Sequence, residues 1–188
     1  MEPEKFYQQR IVSLKEEHAV LLKKKSLVAW LRFAAIVALA TAIYLLLPVG
    51  AGYTFLVAVL LLALFIRLIL VDLKNKNAIK NNQHLQKINE AELQVLAHQY
   101  YGFDDGNKYA PAIHSYSNDL DIFGRASLFQ YCNRTTSDMG GSTLAYWLLN
   151  PENIDMILQR QQAIKELTTV TEWRQQLQAY GMEQKITR

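Results

Sequence analysis

The 188-residue chain holds a single cysteine, Cys132, so no disulfide can form within it. A lone thiol fits a reducing compartment and reads as a spare side chain on a helix. Charge of one sign is also scarce. Twenty Lys and Arg against 17 Asp and Glu leave a net charge of +3, too small a surplus for a nucleic-acid footprint. No Gly-x-x-x-x-Gly-Lys-Ser/Thr run occurs, so no phosphate loop of that kind is present. His84 and His98 stand fourteen apart and could share a helical face, but no acidic or cysteine partner joins them at metal-ligand spacing. Asp104 and Asp105 do not continue into a calcium loop. The nearest thing to a catalytic group is His114 with Ser115, Asp119 and Asp121. It lacks an orienting partner and an oxyanion donor, and the alternation in Asp119–Phe123 equally suits a short extended segment.

What is present is a very apolar block beside polar flanks, which the neutral mean hydropathy of −0.03 conceals. Residues 26–47 and 52–71 form two nearly uninterrupted hydrophobic runs. Each is about 20 residues, or about 30 Å as a helix, the thickness of a bilayer core. The four residues between them, Pro48 to Ala51, allow only a tight turn, so the runs predict a transmembrane helical hairpin. Arg32 and Arg67 lie at the same end of it, shallow enough to snorkel. Trp30 shares that level, and Tyr44 and Tyr53 mark the other face. Lys23, Lys24 and Lys25 precede the first run, and Lys74, Lys76 and Lys80 follow the second. The positive-inside rule places both flanks in the cytoplasm, with Lys23–Lys25 against anionic headgroups. The late start and length of the first run argue against a cleaved signal peptide.

The flanks read as helical extensions. In residues 1–25, Tyr7, Ile11, Leu14, His18 and Leu21 recur at helical spacing and suit pairing with the helix that leaves the membrane. Residues 72–102 read as a stalk helix ending near Tyr100, before Gly102. Its start is weakened by Asn75, Asn77, Asn81 and Asn82, and its later part is marked by Leu85, Ile88, Val95 and Leu96. Residues 103–118 read as loop.

From Asp119 onward the signals predict four short helices: one at residues 126–133, one capped by Ser137 or a nearby threonine and ending at Leu149 before Pro151, one capped by Asn153 and carrying Ile154, Ile157, Ile164 and Leu167 on its apolar face, and one capped by Thr171, carrying Trp173 and Leu177 and closing at Gly181. Gly140-Gly141-Ser142-Thr143 superficially suggests a phosphate loop. It has no lysine and follows no buried strand, so the glycines read as a first-turn packing site where another backbone can approach, with Thr135 and Ser137 as caps.

The order Ser127-Leu128-Phe129, Asn133, Thr135, Ser137, Gly140, Leu144, Trp147-Leu148, Pro151, Ile157, Arg160-Gln161 and Ala163-Ile164 resembles the opening of the core domain of MutS-type proteins over residues 119–181. Ser137 stands where a second threonine is usual, and Ser142 where a basic residue is common. With the hairpin in front, the chain looks like the membrane-anchored MutS-related proteins of bacteria. The resemblance implies an all-α fold, a transmembrane hairpin with long cytoplasmic helical extensions followed by a truncated core segment over residues 119–188. It implies a bacterial inner-membrane location and a longer protein whose C-terminal ATPase binds ATP and magnesium, forms a homodimer and contacts DNA. Cofactor, metal and catalytic residues are expected outside this chain. The alternative is a membrane-anchored helical scaffold that binds a protein partner without nucleotide.

Overall fold

The computed structural model describes residues 2–46, 48 and 50–185. Leu47 and Val49, at the end of the first predicted span and in the turn, lie outside the described residues. So do Met1 and residues 186–188. The fold is all-α. The chain divides into two units, residues 12–83 and residues 1–11 with 84–188.

Two long helices, α1 (Pro3–Leu46) and α2 (Ala51–Leu96), supply all of the first unit. Both are long and apolar enough to cross a bilayer. In a soluble bundle such runs would be buried. Here little of the apolar window of α1, and none of that of α2, is covered by protein. Trp30, Phe33, Tyr44, Tyr53, Phe55 and Leu60 all point outward. The inward residues recur at alternating steps of three and four, the seam of an antiparallel two-helix coil. On α1 the most covered are Leu14, Val28 and Ala35, and on α2 Thr54, Asp72, Asn75, Ile79 and Asn82.

The predicted stalk is not a separate helix but the continuation of the helix that carries the second apolar run. Its asparagines do not weaken it, because Asn75 and Asn82 lie in the seam. The Asn75 amide donates to the Leu21 carbonyl at 3.0 Å. The Asn82 amide donates to the Leu14 carbonyl at 3.1 Å and to Glu17 at 3.2 Å. Both bonds obey one register, which brings the Leu14 and Leu21 part of the α1 stripe against α2 as its spacing predicts. A buried asparagine costs stability relative to leucine but fixes register. We therefore expect Asn82→Leu to raise resistance to denaturant while letting the helices slip. Cysteine pairs placed at residues 21 and 75 should then cross-link less selectively against pairs shifted by one heptad.

α2 ends at Leu96, four residues before the predicted end at Tyr100. His98 sits at φ 57°. The His98 amide donates to the Val95 carbonyl at 3.0 Å and the Gln99 amide to the Gln94 carbonyl at 2.7 Å. This is a Schellman stop with histidine in the position that glycine usually fills. It takes His98 off the helix, so His84 and His98 do not share a helical face.

In the second unit the short helices are α3 (Leu128–Cys132), α4 (Asp138–Leu149), α5 (Ile154–Thr168) and α6 (Thr171–Lys185). Ser127, Ser137 and Asn153 cap the first three, accepting from the amides of Gln130, Gly140 and Met156. Thr171 is not a cap but the first residue of α6, and α6 runs past Gly181 to Lys185. Gly181 is a close-packing position inside α6, where a Cβ would collide with the Thr136 side chain. Within the 103–118 loop, Asn107–Tyr109 form a 3-10 turn. Asp119–Phe123 is not extended: Asp121 has φ 47°, and the Asp121 and Ile122 carbonyls accept from the amides of Leu128 and Phe129.

Candidate functional site

The residues singled out by sequence collect in two places, one in each unit. At the lysine-rich end of the hairpin, Lys23, Lys24 and Lys25 are exposed, and Trp30 is 68% exposed. Arg32 does more than snorkel. Its Nη1 lies 3.1 Å from Asp72 Oδ2, which Lys76 Nζ also approaches at 3.0 Å. Asp72 is only 2% exposed. Sequence reasoning passed over it, although a lone acid just beyond one apolar run and a lone arginine inside the other are the signature of such a pair. Arg67 faces outward.

The second place is built around Phe129, which is 0% exposed. Ser127 starts α3 so that Phe129 turns inward, against Tyr109 and Phe123 at ring separations of 5.6 and 5.5 Å. Leu128 faces outward. Gln130, also buried, ties the preceding loop down: its amide donates to the Tyr101 and Phe103 carbonyls at 3.2 and 2.7 Å, and its Oε1 accepts from the Ala126 amide at 2.9 Å. Asn133 closes α3, and its Oδ1 accepts from both the amide and the hydroxyl of Thr135 at 2.9 and 2.7 Å. Thr135 therefore braces the turn rather than capping α4, a task that Ser137 performs alone.

The two glycines admit side chains, not a backbone. A Cβ on Gly140 would lie 3.1 Å from Ser137 Oγ and 3.2 Å from Thr135 Cβ, and one on Gly141 would lie 2.6 Å from the Tyr109 hydroxyl. Their surroundings do not fit a nucleotide. Ser142 and Thr143 spend their hydroxyls on the Met139 carbonyl at 3.0 and 2.8 Å. The Gly140 amide is held by Ser137 Oγ at 3.1 Å. Overpacking of this kind costs about 1–3 kcal/mol. Gly141→Ala should destabilise the unit by that amount in a thermal melt, and Tyr109→Phe in the same chain, which removes the obstructing oxygen, should recover most of the loss.

The signature residues of α4 and α5 meet at their junction. Leu144 is half-buried and Pro151 exposed between the helices. The Arg160 guanidinium lies 4.3 Å from the Trp147 ring centre and binds Glu152 at 2.9 Å. Leu148 is half-buried, and its carbonyl accepts from the Tyr116 hydroxyl at 3.0 Å. Ile157, Gln161 and Ala163 remain exposed on α5, which buries none of its residues. The apolar face predicted for that helix exists, but it stays largely exposed, most of all at Ile154 and Ile164.

His114 has a structural task. Its Nε2 donates to the Leu149 carbonyl at 3.1 Å, and its Nδ1 accepts from the amides of Tyr116 and Ser117 at 3.4 and 3.3 Å. The first of these bonds caps the end of α4, and the other two hold the preceding loop to it. Asp119 and Asp121 are exposed, and the hydrogen bonds of His114 among the described residues go to backbone groups rather than to either carboxylate.

An open cleft of about 430 Å³ lies beside these helices, lined by Tyr7, Glu92, Arg134, Thr136, Trp173 and Arg174 among others. Arg134 is already held by Glu92 in a two-pronged pair at 2.6 and 3.1 Å. Burial, then the Glu92 charge, push the Tyr7 hydroxyl above its ordinary pKa, with Arg174 and Arg134 opposing.

Cys132 is exposed, yet burial of its sulfur pushes the thiol pKa up, only partly offset by Arg134. Raising the pKa shrinks the reactive thiolate fraction at neutral pH. Maleimide labelling at pH 7 should therefore be slower than for a free peptide thiol and keep rising, about tenfold per pH unit, beyond the ordinary thiol value of 9.0. A pH–rate profile checks this. Comparison of the chain with protein-family models, curated proteins and solved structures finds no match.

Proposed function

We propose that residues 26–71 anchor the protein in the bacterial inner membrane as a hairpin, and that the helices from Asp119 onward form the opening of a MutS-like core held at its cytoplasmic face. One observation carries the anchor: two helices with apolar runs of bilayer length turn those runs outward, with none of the second run covered by protein. Leaving so many large apolar side chains in water would cost about 1.5–3 kcal/mol each. Deleting residues 26–71 should move the chain from the membrane pellet to the soluble fraction. Unchanged sedimentation would refute the anchor.

The MutS-like part rests on residue order together with the way its elements sit on helices: Ser127 and Ser137 at caps, and Trp147 stacked by Arg160. Under this reading ATP, magnesium, DNA contact and homodimerisation belong to chain beyond Arg188. A Gly-x-x-x-x-Gly-Lys-Ser/Thr loop should follow within a few hundred residues in the same reading frame, and its absence would overturn the assignment.

The uncovered face of α5 also suits a scaffold that recruits a protein partner without nucleotide. Ile154 is 74% exposed and Ile164 64%. A partner retained by the full protein with and without ATP, and lost on Ile154→Asp/Ile164→Asp, favours that reading.

A further inference from the structure

We infer that Arg67 and Lys74 form a binding site for the headgroup of an anionic phospholipid in the cytoplasmic leaflet, a proposal that rests on the membrane-anchor reading and deepens it. The two arginines of the apolar runs have opposite fates. Arg32 turns to Asp72, the single acid near this end of the hairpin, and Lys76 completes that pair. Arg67 projects from the outer face of α2 and makes no ion pair among the described residues. A guanidinium on a lipid-facing surface needs an anion or water at its end, and no carboxylate among the described residues pairs with it.

Lys74 lies seven residues further along α2, hence on the same face and about 10 Å nearer the cytoplasm. It too is exposed and makes no ion pair among the described residues. The register set by the Asn75–Leu21 and Asn82–Leu14 bonds brings Lys23–Lys25 to the height of Lys74 and Trp30 to the height of Arg67. An indole at the level of the upper cation and lysines at the level of the lower one mark the headgroup layer between them. Residues 12–83 hold nine Lys and Arg against three acids. Of those acids, Asp72 is spent on Arg32 and Lys76, and Glu17 accepts from Asn82. The cation surplus of the chain therefore sits on this unit, which favours an anionic over a zwitterionic lipid. A planar fork above a flexible ammonium suits a phosphodiester: Arg67 bonds its oxygens in pairs, and Lys74 adds charge on the outer side.

The test uses the full chain in nanodiscs of phosphatidylcholine containing a minor share of phosphatidylglycerol, released into the gas phase for native mass spectrometry. The wild type should retain phosphatidylglycerol in preference to phosphatidylcholine. Arg67→Gln and Lys74→Gln should each weaken retention about fivefold, and the pair of changes should weaken it about 25-fold. Lys80→Gln, further into the cytoplasm, should leave it unchanged. Equal retention by wild type and the double variant would overturn the site, as would a wild type that holds both lipids alike. Flotation with liposomes separates the two readings: a chain that floats without lipid preference contradicts the site alone, whereas a chain that stays at the bottom contradicts the anchor as well.

Discussion

Phe129→Ala should cost the second unit about 3–5 kcal/mol, the usual range for deleting a fully buried ring. With 0% of the ring exposed and Tyr109 and Phe123 leaning on it, the site has little means of collapsing. Gly106 shows how closely the ring is enclosed. Its φ is +67°, and a Cβ there would lie 2.5 Å from Phe129 Cδ1. A loss of that size is a large part of the stability of a small domain. Pulse proteolysis of the full chain in detergent should show new cleavage across the 103–127 loop in Phe129→Ala at denaturant concentrations where the wild type is intact. Leu128→Ala, at a neighbouring but outward position, should change little.

Asp72→Ala should be the most damaging single change in the hairpin. It leaves Arg32 without its carboxylate, beside apolar neighbours. Removing one member of a buried pair costs about 3–5 kcal/mol. Because Arg32 keeps 30% exposure and Lys76 48%, screening should reduce the loss to about 2–3 kcal/mol. Unfolding in a detergent titration, followed by energy transfer between labels on α1 and α2, reads the loss. Asp72→Leu with Arg32→Leu should recover most of it, because neither charge then remains to be solvated.

How legible these features are in the sequence depends on whether their cause is local. The apolar runs, the Ser137 and Asn153 caps and the stop before Pro151 depend on a few adjacent residues and can be read directly. The asparagines of α2 show the limit. Their intrinsic propensity argues against a helix, but Asn75, Asn82 and Asn89 stand seven apart, and that interval marks a seam. Asn82 reaches a carbonyl of α1, and Asn89 exchanges amide bonds with Gln175 at 2.9 and 3.3 Å. Propensity was overridden by tertiary pairing. The stop at His98 was hidden because a histidine occupies a position where glycine is the usual signal, while Gly102 nearby supplied a false one. Gly141 reads as a packing residue from sequence, but its partner, the Tyr109 hydroxyl, comes from a loop about thirty residues earlier in the chain, which no periodicity reveals. The Arg32–Asp72 pair is legible only in part: a lone arginine in one apolar run and a lone acid just beyond the other point to an ion pair, but which charges meet depends on the register of the hairpin.

The central claim is that the two apolar runs cross a bilayer and return, leaving both flanks on one side. Cys132, exposed and the sole thiol, reports the side on which α3 to α6 lie. Pro48→Cys in a Cys132→Ser chain reports the turn. In intact cells with a permeable outer envelope, a membrane-impermeant maleimide should label the Pro48→Cys chain, and should label Cys132 of the native chain only after the inner membrane is opened. Labelling of both positions before the membrane is opened, or of neither, would contradict the hairpin.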